Sequence, residues 1–316
     1  TIVGKPEPTI IIEAQNTTVD KIELINITVN GEKNDNVTAY VNDEKYSVKN
    51  GTLIYKPIKE GLYTVTVSWE GDKDYAPGSN STQFDVKKNN IDISIDNIVE
   101  DIYVYSPVTF TAHLSVNVTG RVIFQINYVN YEVNVTNASL CNFTYVPSDV
   151  DNLTVMAIFP GNYAYIDAYS DIIHLNVNKI NSSINLSDVN INYGCSTVVH
   201  VTTEGAIGIT AKINDNEVLC EGNDIPIPIL NAGTYNLTVT TIPDKNYNTV
   251  TKTVTLTINQ LKTEFIANPI TTVYNVNKNL VITLKDSNGN PLKDIKVTFN
   301  KNVSVLGVII FLAVVS

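Results

Sequence analysis

Basic residues, cysteine, histidine, methionine and tryptophan are all scarce in this 316-residue chain, and most of these scarcities remove a class of function. Lys and Arg number 21 against 32 Asp and Glu, a net charge of −11. Nucleic acid is held by clustered cations, and no such cluster occurs, so it is excluded as a partner. Three cysteines, Cys141, Cys195 and Cys220, are too few for a disulfide scaffold. His113, His174 and His200 are the only histidines, and no His-x-x-x-His or Cys-x-x-Cys spacing accompanies them. A zinc centre needs three or four converging ligands, so none is expected. There is no Gly-x-Ser-x-Gly elbow and no glycine-rich phosphate loop. The sequence therefore predicts no catalytic residue, no cofactor and no metal. Residues 303–315 (VSVLGVIIFLAVV) are apolar but fall short of the roughly 20 residues that a spanning helix needs. They read as a strand of an incomplete repeat, a disordered tail or a clipped anchor. Residue 1 is Thr with no leader-like segment behind it, so the chain is expected to be a fragment or a processed form.

What is abundant is Asn, Thr, Val, Ile and Tyr. β-Branched and aromatic side chains suit a pleated, half-buried surface, so the expected class is all-β. Alternation agrees: Tyr63, Val65, Val67 and Trp69 share one parity, Thr64, Thr66 and Ser68 the other. Val108, Phe110, Ala112, Leu114 and Val116 alternate likewise, as do Val122, Phe124 and Ile126. Leu280, Ile282 and Leu284, and then Ile295, Val297 and Phe299, repeat the pattern near the end.

The chain repeats itself. Gly61-Leu62-Tyr63-Thr64-Val65-Thr66-Val67 matches Gly233-Thr234-Tyr235-Asn236-Leu237-Thr238-Val239. Gly71-Asp72-Lys73-Asp74-Tyr75 and Pro243-Asp244-Lys245-Asn246-Tyr247 follow at the same distance. A weaker copy has Leu153 in place of the strand tyrosine, then Pro160-Gly161-Asn162-Tyr163. The interval of roughly 80 to 90 residues is that of one immunoglobulin-like sandwich. The expected domains are 1–87, 88–178, 179–259 and an incomplete fourth at 260–316. Linkers are nearly absent: Val86-Lys87-Lys88-Asn89-Asn90 runs straight into Ile91. Short connections limit bending, so tandem β-sandwiches in an elongated rod are expected.

The Gly-x-Tyr strand ends and the segment Lys285-Asp286-Ser287-Asn288-Gly289-Asn290-Pro291-Leu292 resemble the invasin-type Ig-like repeats of bacterial and archaeal adhesin-like surface proteins, especially those of methanogenic archaea. That resemblance implies an extracellular stalk at the cell surface, anchored through regions outside this chain. Its partner would be an unidentified glycan or protein on another cell. Two other functions stay open: a glycan- or protein-binding module, and an accessory module of a secreted enzyme.

Candidate site residues follow from these readings. Tyr63 and Tyr235 are expected to form tyrosine corners, each hydroxyl bonding nearby backbone, and Leu153 to lack one. Tyr163, Tyr165 and Tyr169, or Tyr128 and Tyr131, are candidates for ligand contact, because tyrosine supplies contact area with a polar tip at low entropy cost. The alternative is that they cover a sandwich end. Cys195 and Cys220 fall within one repeat and could pair in an oxidising compartment; the alternative is that all three thiols are free and buried. Asp286 to Asn290 has the oxygen spacing of a calcium loop but lacks its closing Glu, and reads as a hairpin turn. Asp72 with Asp74, and Glu100 with Asp101, read as solvated charge, with weak calcium binding as the alternative. Asn-x-Ser/Thr occurs fourteen times, with Asn36, Asn117 and Asn236 among the candidates for N-glycosylation.

Overall fold

The alternation along Gly61–Trp69 becomes a strand with one buried face: Tyr63, Val65, Val67 and Trp69 are buried, and the residues between them are not. The computed structural model describes residues 4–98, 100–267, 282–286, 289–292, 297–303 and 309–315. Every regular element among them is a β-strand. The chain forms tandem immunoglobulin-like β-sandwiches and divides into two compact units, Thr1–Lys179 and Ile180–Ser316.

The first unit opens with a sandwich of two sheets. One has the strand order Ile10–Glu13, Glu23–Val29, Thr52–Tyr55, Val48–Lys49. The other runs Thr17–Thr18, Gly78–Lys87, Gly61–Trp69, Thr38–Val41, Glu44–Tyr46. A single core joins them: Ile10, Ile25, Ile27 and Leu53 from one sheet meet Val41, Val65, Val67 and Phe84 from the other. Each such side chain contributes roughly 1.5–3 kcal/mol on burial.

The second sandwich of this unit is built around the 19-residue strand Val108–Ile126. Its early residues pair with Ile93–Ile95 and its late residues with Asn152–Phe159. The register breaks between His113 and Gly120, where the strand bends from one layer to the other. Val129–Tyr145 follows it along nearly its whole length.

In the second unit, the sheet Val189–Asn192, Thr251–Asn259, Gly233–Pro243, Ala206–Ile213, Asn216–Val218 faces two short ladders, Thr197–His200 with Asp224–Ile227 and Ser183–Asn185 with Thr202–Glu204. Val201, Ile225, Leu237, Val239 and Leu256 form its centre, each 0% exposed. All three sandwiches add a short strand parallel to their last one, through Val86↔Thr17, Val177↔Ile102 and Leu256↔Val189.

Beyond these lie two antiparallel strand pairs, Thr263–Ala267 with Ile282–Asp286 and Val297–Val303 with Ile309–Val315. Residues 309–315 of the apolar tail are thus a strand, antiparallel to 297–303. No helix among the described residues is long and apolar enough to cross a membrane. Around the predicted hairpin turn, Gly289 N donates to Asp286 O at 3.0 Å and Leu292 N to Leu284 O at 2.8 Å. Asp286 Oδ1 accepts from Asn290 N at 2.9 Å, so its carboxylate serves that turn. Leu280, Ser287, Asn288 and Ile295, which the sequence pattern singles out, lie outside the described residues.

Candidate functional site

Two tyrosine corners form. Tyr63 Oη donates to Lys59 O at 2.7 Å and Tyr235 Oη to Asn231 O at 2.8 Å, each reaching back four residues. The Tyr63 ring stacks on Phe84 with centroids 5.5 Å apart and lies against Tyr55. Burial, with Tyr63 and Tyr46 alongside, pushes the Tyr55 phenol well above its ordinary value. Leu153, at the matching place in the second sandwich, is a buried core residue without a hydroxyl to spend.

The second landmark is an Asx turn built three times. Asp72 Oδ1 accepts from the amides of Asp74 and Tyr75, both at 2.8 Å. Asn162 Oδ1 accepts from Ala164 and Tyr165, both at 2.9 Å. Asp244 Oδ1 accepts from Asn246 at 2.7 Å. The residue equivalent to Tyr75 and Tyr247 is therefore Tyr165, and the sequence match to Tyr163 is two residues out of register. Gly71 and Gly161 each precede the turn at φ +79°, where a Cβ would press on the backbone of the returning chain at 2.7 and 3.0 Å.

In the second sandwich this turn docks on the first. Asn89, in the short linker, donates its backbone N–H to Ala164 O at 2.8 Å, and its carbonyl accepts from Ile166 N at 3.0 Å. Its side-chain amide donates to Val19 O and to Ala164 O, both at 3.0 Å. The Ala164 side chain is 3% exposed and belongs to the core of the first sandwich, with Tyr165 packed against that core. Tyr163 Oη donates to Asp20 Oδ2 at 3.1 Å, while Lys56 Nζ lies 3.1 Å from Asp20 Oδ1. Lys56 first, then Tyr163, hold the Asp20 carboxyl below its usual value. Asp20 in turn pushes the Tyr163 phenol up. The turn that receives the loop is itself strained, with Asp20 at φ +66°.

The structure therefore separates the tyrosine candidates. Tyr163 and Tyr165 sit together at the junction, whereas Tyr169 pairs opposite Ile158 and is 60% exposed. Tyr131 stacks on Phe143 at 4.9 Å, and Tyr128 stands 88% exposed at a hairpin tip. Sequence reasoning passed over Asn89 and Ala164. The available signal was an apolar residue in a loop whose first copy has Asp74 at that position.

The remaining candidates stand apart from one another. His113 Nε2 lies 2.9 Å from Asp96 and His200 Nδ1 2.6 Å from Asp224, in different units. Among the described residues no three His, Cys, Asp or Glu side chains converge as a metal site would require. Glu100 and Asp101 line a recess with Asn97, Tyr103, Ser106 and Thr109. All three cysteines are free thiols: Cys141 is buried, Cys220 half-buried and Cys195 exposed. No Cys195–Cys220 bond is present, and the expectation of burial fails for Cys195, which follows a turn at Gly194. Asn36, Asn117 and Asn236 are exposed.

No family model and no curated sequence matches the chain. Among solved structures it is similar to the I9–I11 tandem of titin, at 14% identity and a TM-score of 0.28, covering 80% of this chain and 99% of that one. It is similar to a structure giving insight into host cell surface retention of a 1.5-MDa bacterial ice-binding adhesin, at 16% identity and a TM-score of 0.30, covering 81% and 99%. The FN1–FN3 domains of chicken CNTN1 are a third likeness, at 10% identity and a TM-score of 0.24, covering 81% and 100%.

Proposed function

We propose that the chain is a non-catalytic stalk segment of a cell-surface, adhesin-like protein, carrying a distal binding region outward from an anchor outside this chain. Its partner in attachment is a glycan or protein on another cell, and its compartment is extracellular. In this reading the repeats divide at 1–87, 88–178, 179–259 and 260–316 and stack as a rod.

The junction around Asn89 carries the reading. A spacer must hold consecutive domains at a set angle, and a linker whose residue is bonded to both neighbours supports that. Ala164 adds a side chain of one sandwich to the core of the other, which a freely hinged pair would not have. Small-angle scattering of the whole chain tests the proposal. Three sandwiches of strands about 30 Å long, end to end, predict a longest dimension of roughly 100 Å. A radius of gyration near the value of about 20 Å expected for one globule of this length would sink it.

A second reading, a binding module, draws support from Tyr163, a residue 63% exposed although its hydroxyl is held by Asp20. Loss of glycan or cell binding on Tyr163→Ala together with Tyr169→Ala, with the fold intact, would favour this second reading.

A further inference from the structure

Among the described residues, the 17-residue strand Val129–Tyr145 is hydrogen-bonded along one side only, to Val108–Ile126. Its other side is an open sheet edge. Such an edge offers unpaired N–H and C=O groups to any second strand, and proteins blunt it with Lys, Pro, bulges or cover. The strand contains no Lys and no Pro. Glu132 is its one charged residue, and it is engaged by Arg121 Nη1 at 3.0 and 3.1 Å. The ladder is irregular at the bend alone, with register shifts between His113 and Val118 and between Val118 and Gly120. Apolar side chains stand exposed on and beside the edge: Leu140 at 55%, Val129 at 53% and Tyr128 at 88%. This is the composition of a strand that invites pairing.

The same strand carries three of the fourteen Asn-x-Ser/Thr triplets: Asn134-Val135-Thr136, Asn137-Ala138-Ser139 and Asn142-Phe143-Thr144. Fourteen triplets spread evenly over 316 residues would place fewer than one in 17 positions. All three asparagines are exposed. Asn134 and Asn142 alternate with the inward-facing Val135 and Cys141, so they belong to the solvent face. Asn142 follows Leu140 by two positions on that face, about 7 Å along the strand. Asn137 sits at the bend with φ +47°.

We propose that Asn134, Asn137 and Asn142 are N-glycosylation sites whose glycans cap this open edge and keep it from pairing with a second copy of the chain. The donor is a lipid-phosphate-linked oligosaccharide. The asparagine amide nitrogen attacks the anomeric carbon, a C–N bond forms as the C–O bond to phosphate breaks, and the phosphate leaves with the electron pair. The amide proton passes to a base of the transferase, and nothing is oxidised or reduced. Glycans rooted three and five residues apart put bulk where an incoming strand would have to lie.

The test uses the full chain secreted from a host with this pathway, beside an Asn134→Gln, Ser139→Ala, Asn142→Gln variant. Ser139 is changed because glutamine at position 137 would be strained at a positive φ. Mass spectrometry should find all three asparagines of the wild type occupied and none in the variant. Light scattering should show a monodisperse monomer for the wild type and concentration-dependent association, at least doubling the mass, for the variant. Both chains from a host without the pathway should associate alike. Bare asparagines in the secreted wild type, a variant that stays monomeric, or an unglycosylated wild type that stays monomeric would each overturn the proposal.

Discussion

Asn89 donates twice to the carbonyl of Ala164, from its backbone N–H at 2.8 Å and from its side-chain amide at 3.0 Å. The second amide hydrogen reaches Val19 O on the other side. One linker residue thus joins a loop of the second sandwich to a turn of the first.

Replacing Asn89 by Ala leaves two carbonyls short of a donor. A hydrogen bond contributes about 0.5–1.5 kcal/mol, and a buried group left unsatisfied costs about 1–3. Asn89→Ala should therefore lower the urea midpoint of unit Thr1–Lys179 by an amount equivalent to roughly 1–3 kcal/mol. Asn89→Asp should cost more, because it sets a carboxylate against both carbonyls. Equal midpoints for wild type and Asn89→Ala would contradict the role assigned to this side chain.

Ala164 and Asp74 occupy the same position of the same turn, one buried and one exposed. Ala164→Leu should destabilise by about 1–3 kcal/mol through overpacking of the first core. Asp74→Ala should stay within about 0.5 kcal/mol, as exposed substitutions do. Denaturant titration of the two variants side by side decides the matter; the reverse order of effects would place the wrong loop in the junction.

At the corners, Tyr63→Phe and Tyr235→Phe each remove one hydroxyl bond and leave the ring. A loss of about 0.5–1.5 kcal/mol is expected for Tyr63, whose bond is partly buried. Tyr235 should lose less, because its bond is exposed. The two sit in separate units, so their effects should add in a double variant. Thermal melts in which Tyr235→Phe is the more damaging change would argue against this ranking.

Acid should weaken the fold through three carboxylates held below their usual value. Lys56, then Tyr163, lower Asp20; the amides of Gly51, then Asn50, lower Asp35; those of Asp74, then Tyr75, lower Asp72. A carboxyl with a depressed folded value binds its proton more weakly when folded. Its stabilisation is present above the unfolded value of about 3.9 and is lost as pH falls through the lower folded value. Melting temperature should hold from pH 7 to about 4 and decline below it, and Asp35→Asn should flatten part of that decline. A melting temperature unchanged from pH 4 to 2 would refute the assignment.

The corner tyrosines, the alternating strands and the turn glycines were legible because their reasons are local. Tyr63 meets Lys59 four residues back, Asp72 meets Tyr75 three residues on, and Val65 and Val67 share a face by parity alone. In the weaker second copy the twelve-residue spacing from Leu153 falls on Tyr165 rather than on Tyr163, and the Asx turn on Asn162 puts Tyr165 in the matching position. The thiols were beyond local reasoning: nothing adjacent to Cys195 in the chain says whether a neighbour will cover it.

The chain's order of apolar and polar residues by itself determined that its described elements are β-strands and which tyrosines close the two corners. The junction was decided elsewhere. Asn89 finds Val19 seventy residues earlier and Ala164 seventy-five later. The alanine is buried by a core to which its own strands do not belong. Contacts at such separations depend on how whole sandwiches meet, and no periodicity within a strand encodes that. The open edge of Val129–Tyr145 is likewise a fact of topology: its residues alternate like those of any strand, and only the arrangement of its neighbours leaves it, among the described residues, without a partner on one side.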